Sequence, residues 1–100
     1  MKLKVGNIYT TNKILVCDKR AAVLILSIVD NFTTFYIVEL NDCSRKDVEK
    51  NLRKQIETHT IKRNLFQMYS NNFLTSMFDG YLGTINEKLL NDLKDYQIYE

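Results

Sequence analysis

An α+β fold is predicted by three features of the chain. Residues 21–40, AAVLILSIVDNFTTFYIVEL, hold two apolar, β-branched and aromatic runs on either side of Asp30-Asn31. That pattern predicts a β-hairpin, and its nearly continuous apolar character predicts strands covered on both faces. Two shorter apolar runs, residues 5–11 and 14–17, come before it. Short strands in close succession pair as an antiparallel meander or close into a small barrel. Beyond Cys43 the apolar residues recur every fourth position, the spacing of helices laid on such a sheet.

The elements follow in chain order. VGNIYTT (5–11) is a strand entered through Gly6, and Asn12-Lys13 turns the chain. Residues 14–17 form a second short run, and Asp18-Lys19-Arg20 is a charged break before the hairpin. Ser44 is a helix cap with Asp47 three residues on, and Cys43 and Val48 take the two positions of a hydrophobic staple. Val48, Leu52 and Ile56 lie on one face of the helix expected from Ser44 to about His59. TIKRNLFQMY (60–69) fits neither period, and Asn71-Asn72 signals a turn. FLTSMF (73–78) is short, apolar and bounded by turn residues, so a strand is expected there. Asp79-Gly80 turns the chain again, and Tyr81-Leu82-Gly83 leads to a last helix. That helix has Thr84 or Asn86 as its cap and Leu89, Leu90, Leu93 and Tyr96 as its apolar face.

The totals bound the possibilities. One hundred residues, 45% hydrophobic and 26% charged, make one globular domain over 1–100 and argue against disorder. Proline is absent and glycine numbers 3, so no flexible linker is expected. No apolar run approaches the roughly 18 residues of a membrane span. The start, MKLKVGNIY, lacks the apolar core of a signal peptide, so a cytoplasmic location is the expectation. Cys17 and Cys43 are then expected as reduced thiols. With a single histidine they cannot close a structural zinc site without carboxylates, so no metal and no cofactor is expected. None of the three glycines forms a phosphate-cradling loop, and no serine sits in a nucleophile elbow. A net charge of +2 does not by itself mark a nucleic-acid partner, and its distribution matters more.

Three segments resemble the MazF/PemK family, toxins of bacterial toxin–antitoxin pairs. Lys4-Val5-Gly6-Asn7-Ile8-Tyr9 is similar to the family's opening Lys/Arg-x-Gly-Asp/Asn-Ile/Val-Tyr. Residues 20–26, RAAVLIL, resemble its Arg-Pro-Val-Val-Val-Ile strand, and FLTSMFDGYLGTINEKLL (73–90) resembles its C-terminal module. The matches touch about half of the chain, and their order and spacing carry more weight than any one motif. The resemblance implies a small SH3-like antiparallel β-barrel with attached helices, here a surface helix and a C-terminal helix. It also implies a homodimer, an antitoxin partner, and metal-independent cleavage of single-stranded RNA. In the family an arginine at the start of the central strand and a threonine on the next strand carry the cleavage. Arg20 matches the arginine, followed by Ala21 in place of proline, and the threonine's position falls at Leu40-Asn41-Asp42.

RNA cleavage of this kind needs a base for the 2′-hydroxyl and a donor for the developing charge on phosphate. Arg20 suits the second task, since a guanidinium grips phosphate through two parallel hydrogen bonds. Asn41, Asp42 and His59 are the candidates to assist it. His59 is the only histidine, the residue type most used for proton transfer near neutrality, and a structural role at the end of its helix is the alternative. Residues 45–63 hold seven Lys/Arg against three Asp/Glu. Lys19, Arg45, Lys46, Arg53, Lys54, Lys62 and Arg63 are accordingly the candidate RNA-binding residues, with a solvated helix surface as the alternative. Tyr36, Phe66 and Tyr69 would supply stacking faces where exposed, and core or dimer contacts where covered.

Overall fold

The computed structural model describes residues 3–11, 21–39 and 44–98. Its five strands are β1 (Asn7–Thr11), β2 (Ala21–Val29), β3 (Phe32–Glu39), β4 (Phe66–Ser70) and β5 (Gly80–Thr84). They form one antiparallel sheet in the order β4-β3-β2-β1-β5. Three α-helices accompany it: α1 (Arg45–Glu57), α2 (Asn71–Met77) and α3 (Glu87–Ile98).

The hairpin is the centre of the sheet. Val29 pairs with Phe32 across Asp30-Asn31, and Asp30 takes a φ of 55°, a left-handed conformation that Asp tolerates better than most residues. Because side chains alternate along a strand, β2 supplies two cores at once. Ala22, Leu24 and Leu26 join Ile8, Tyr36 and Val38 under α1 and α3, where Val48, Leu52, Leu89, Leu90 and Leu93 close the layer. Ala21, Val23 and Ile25 join Tyr9, Phe35 and Ile37 on the opposite face, against Leu74 of α2. The near-continuous apolar run is thus explained by burial on both sides. Ile25 faces Phe35 while Ser27 faces Thr34, so Leu26 is an extra residue, a bulge that re-aims Ile28 into the second core.

Two expectations change and two open alternatives are decided. The segment 73–78, read as a strand, is the body of helix α2. Ser70 Oγ accepts the Phe73 N–H at 3.3 Å as an N-cap, and Asn71 N–H donates to the Asn31 carbonyl at 2.8 Å. Thr33 Oγ1 donates to Asn71 Oδ1 at 2.5 Å, so the supposed turn residues dock this helix start on the central hairpin. Residues 60–69 resolve into a 3-10 turn, Arg63–Leu65, and the edge strand β4. Tyr81, Leu82 and Gly83 are not a lead-in to the last helix but the middle of β5, paired with β1. Asn86, not Thr84, caps α3: its Oδ1 accepts the N–H groups of Lys88 and Leu89 at 3.0 and 3.2 Å.

Among the described residues β4 and β5 are the two edges and the sheet is not closed, so the α+β architecture with an antiparallel sheet is what the structure shows. The strand expected over residues 14–17 and the staple residue Cys43 lie outside the described residues. Among those described, no helix is long and apolar enough to cross a membrane.

Candidate nucleic-acid interface

Helix α1 builds the basic surface. Ser44, in an extended conformation, accepts the Asp47 N–H on its Oγ at 3.1 Å and starts the helix. Val48 and Leu52 are fully buried and fix which way the helix faces. That orientation sends Lys46, Lys50 and Lys54 to solvent, four residues and therefore about 6 Å apart along the axis. Among the described residues none of the three is within ion-pair distance of a carboxylate. Like charges at this spacing repel by a few tenths of a kcal/mol per pair, while Lys54 in the last turn is favoured by the helix dipole.

The other predicted basic residues separate from this row. Arg45 is half-exposed, with Nε 3.6 Å from Glu49 Oε1, while Glu49 Oε2 accepts the Asn86 N–H at 3.4 Å. Arg53 lines an open groove of about 420 Å³ between α1 and α3, shared with Glu57, Lys88 and Asp92 over a floor of Ile56 and Leu89. Lys62 and Arg63 are exposed on the segment that leaves α1 for β4.

His59 stops the helix. Its φ is 55°, its N–H donates to the Ile56 carbonyl at 3.3 Å, and the Thr60 N–H donates to the Gln55 carbonyl at 2.8 Å. This is a Schellman motif with histidine at the left-handed position usually held by glycine. Tyr96 OH donates to the Ile56 carbonyl at 3.2 Å and lies 3.5 Å from His59 Nδ1. The helix is about 20 Å long, so His59 stands at the far end from the one that follows Asp42 in the sequence.

Lys19, Arg20, Asn41 and Asp42 lie outside the described residues. The strands that lead to them end side by side: Thr11 pairs with Ala21, and Ala21 with Glu39. Beside that row, Thr10 Oγ1 donates to Asp79 Oδ1 at 2.6 Å.

Of the aromatic residues named from sequence, Tyr36 is fully buried and donates its OH to Gln55 Oε1 at 2.6 Å, so it offers no stacking face. Phe66 packs on Tyr36 with centroids 4.6 Å apart, and Tyr69 stands between Phe35 and Phe73, 5.3 Å from each. Sequence reasoning missed a different group at the β5 edge. Tyr9 stacks on Phe78 at 4.5 Å and 8°, and Tyr81 leans on Tyr9 at 5.5 Å and 46°. Asn7 Nδ2 donates to Tyr9 OH at 3.0 Å, Thr84 Oγ1 donates to Asn7 Oδ1 at 3.0 Å, and Tyr81 OH is 3.3 Å from Thr84 Oγ1. The signal available was the short run GYLGT. Its partner strand is at the other end of the chain, so nothing local marked it as paired.

Among the described residues no three His, Cys, Asp or Glu side chains converge as metal ligands would. Compared with protein-family models, curated proteins and solved structures, the chain matches none.

Proposed function

We propose that the protein is a MazF/PemK-like toxin of a toxin–antitoxin pair that acts on single-stranded RNA in the cytoplasm as a metal-independent endoribonuclease. The observation that carries an RNA partner is the Lys46–Lys50–Lys54 row, three exposed lysines on one helix face with no carboxylate partner among the described residues. Phosphates along a strand neutralise such a row and release counterions. In this reading Arg20 holds the scissile phosphate, Asn41 adds a hydrogen bond to it, and Asp42 takes up the proton of the 2′-hydroxyl. Attack of the deprotonated 2′-oxygen on phosphorus forms a 2′,3′-cyclic phosphate and breaks the bond to the 5′-oxygen, which takes a proton from water and leaves as a 5′-hydroxyl. The pairing of Ala21 with Glu39 supports a shared site, since Arg20 is joined to the one and Asn41 and Asp42 follow the other closely.

The family reading also carries an SH3-like barrel, a homodimer and an acidic antitoxin that covers the basic surface. The return of β5 beside β1, with extra residues at Leu26 and Leu82 bending β2 and β5, supports the barrel. A second reading is a catalytically inert domain of the same shape that binds nucleic acid or a protein through α1. It is favoured by the sequence Leu40-Asn41-Asp42, which has no threonine hydroxyl where the family has one.

The test is incubation of a long mixed-sequence RNA with the protein in EDTA, with Arg20→Ala alongside. Discrete fragments from the wild type alone establish the ribonuclease. Intact RNA in both leaves the binding module.

A further inference from the structure

We infer that the exposed ring of Tyr81 is a stacking subsite for one base of a single-stranded RNA, which extends the RNA-binding reading from charge to base contact. Tyr81 is 56% exposed although it sits in a paired strand, and its ring leans on Tyr9 at 46°. Tyr9 is itself stacked in parallel on Phe78, so Tyr81 is the exposed member of three rings in contact. A ring braced from behind loses little freedom when a base lands on its front.

The surroundings add polar groups at the edge of the pile. Asn7 and Thr84 hydrogen-bond to each other and to the Tyr9 and Tyr81 hydroxyls. Tyr81 is thereby held by its hydroxyl as well as by its ring, and amide and hydroxyl groups lie where the edge of a stacked base would come.

The position joins the basic surface. β5 is an edge strand, and Arg45 crosses beside it: a Cβ added at Gly83 would lie 3.3 Å from Arg45 Cδ. Gly83, at a φ of 123°, keeps that passage open. Tyr81 leans on Tyr9, on the face opposite α1, so a strand bound along the α1 lysines and past Arg45 turns over the open β5 edge to meet it. Base–aromatic stacking tolerates any base, so the subsite adds affinity without selecting a sequence.

The experiment is fluorescence anisotropy with a labelled 2′-O-methyl oligoribonucleotide, which cannot supply the attacking 2′-hydroxyl, compared with calorimetric titration of inorganic polyphosphate. Tyr81→Ala is expected to weaken oligonucleotide binding by roughly 5- to 150-fold and to leave polyphosphate binding unchanged. Tyr81→Phe keeps the ring and is expected to bind within roughly threefold of wild type. Tyr81→Leu keeps an apolar contact on Tyr9 without a ring face and is expected to behave as Tyr81→Ala, which guards against a folding artefact. Oligonucleotide binding by Tyr81→Ala equal to wild type overturns the subsite and leaves the basic surface standing. Equal losses for oligonucleotide and polyphosphate overturn it too, because the effect is then on charge or folding. A wild-type protein that binds no oligonucleotide removes both the subsite and the RNA reading.

Discussion

The two faces of the sheet are built differently. One is covered by α1 and α3, and its core is mainly aliphatic: Leu24, Leu26, Val48, Leu52, Leu89, Leu90 and Leu93 meet beneath helices whose outer sides are charged. The other is covered by the seven-residue α2, and its packing is largely aromatic, with Tyr9 on Phe78 and Tyr69 between Phe35 and Phe73. Residues 64–78, which form β4 and α2, carry no Asp, Glu, Lys, Arg or His. Long amphipathic helices decouple core from surface, because one side buries and the other is free to carry charge. A single short helix cannot do this, so the second face relies on ring-on-ring contacts and leaves Phe73 and Tyr81 partly in water. Charge therefore gathers on the first face and aromatic rings on the second.

Breaking each core tests that contrast most strongly. Leu52→Ala, at a fully buried position of the long helix, is expected to lower stability by about 2–5 kcal/mol in denaturant unfolding. Leu74→Ala is expected to act more locally. Leu74 is the fully buried residue of α2, so amide exchange in residues 71–77 should speed up more than elsewhere. Uniform exchange across the protein in Leu74→Ala would show that the two faces fail as one unit.

The electrostatic side of the contrast is tested by replacing Lys46, Lys50 and Lys54 with glutamine together. The slope of log affinity against log salt for single-stranded RNA should become shallower by about 2, at about 0.7 per phosphate contact. Unfolding midpoints should change little, since the like-charge repulsion removed is offset by the loss of Lys54 from the last turn of the helix. An unchanged slope would move the RNA surface away from α1.

Gly83→Ala probes the junction between the faces. A side chain at a φ of 123° is strained and also presses on Arg45, so a loss of about 1–3 kcal/mol is expected in thermal unfolding. Wild-type stability would mean that β5 adjusts its backbone there.

The smallest effect is expected at His59. His59→Gly relieves left-handed strain but adds unfolded-state entropy, so stability should change by less than about 1 kcal/mol. RNA cleavage should persist if the ring serves only to end the helix. Cleavage lost in a folded His59→Gly variant would assign the ring a chemical role.

Much of the fold was readable because its signals are local. The hairpin around Asp30-Asn31, the Ser44 cap and the Val48–Leu52–Ile56 stripe are each set by residues a few positions apart. Burial on both sides of β2 was readable as well, since a strand with no polar alternation has no side to give to water. The basic character of residues 45–63 followed from composition, while the selection of Lys46, Lys50 and Lys54 as one row required the helix to be oriented by Val48 and Leu52.

What only the tertiary structure decided are the short segments, whose local preferences are weak. FLTSMF has too few residues for its period to separate strand from helix. Docking settled it, through the Ser70 cap and the bonds from Asn71 to Asn31 and Thr33. GYLGT became a strand because β1 offered an unpaired edge, and the same pairing set Tyr81 beside Tyr9. Long or capped elements carry their free-energy preference within their own sequence. Segments of five to seven residues take theirs from whichever partner satisfies their backbone groups, and that partner is distant in the chain.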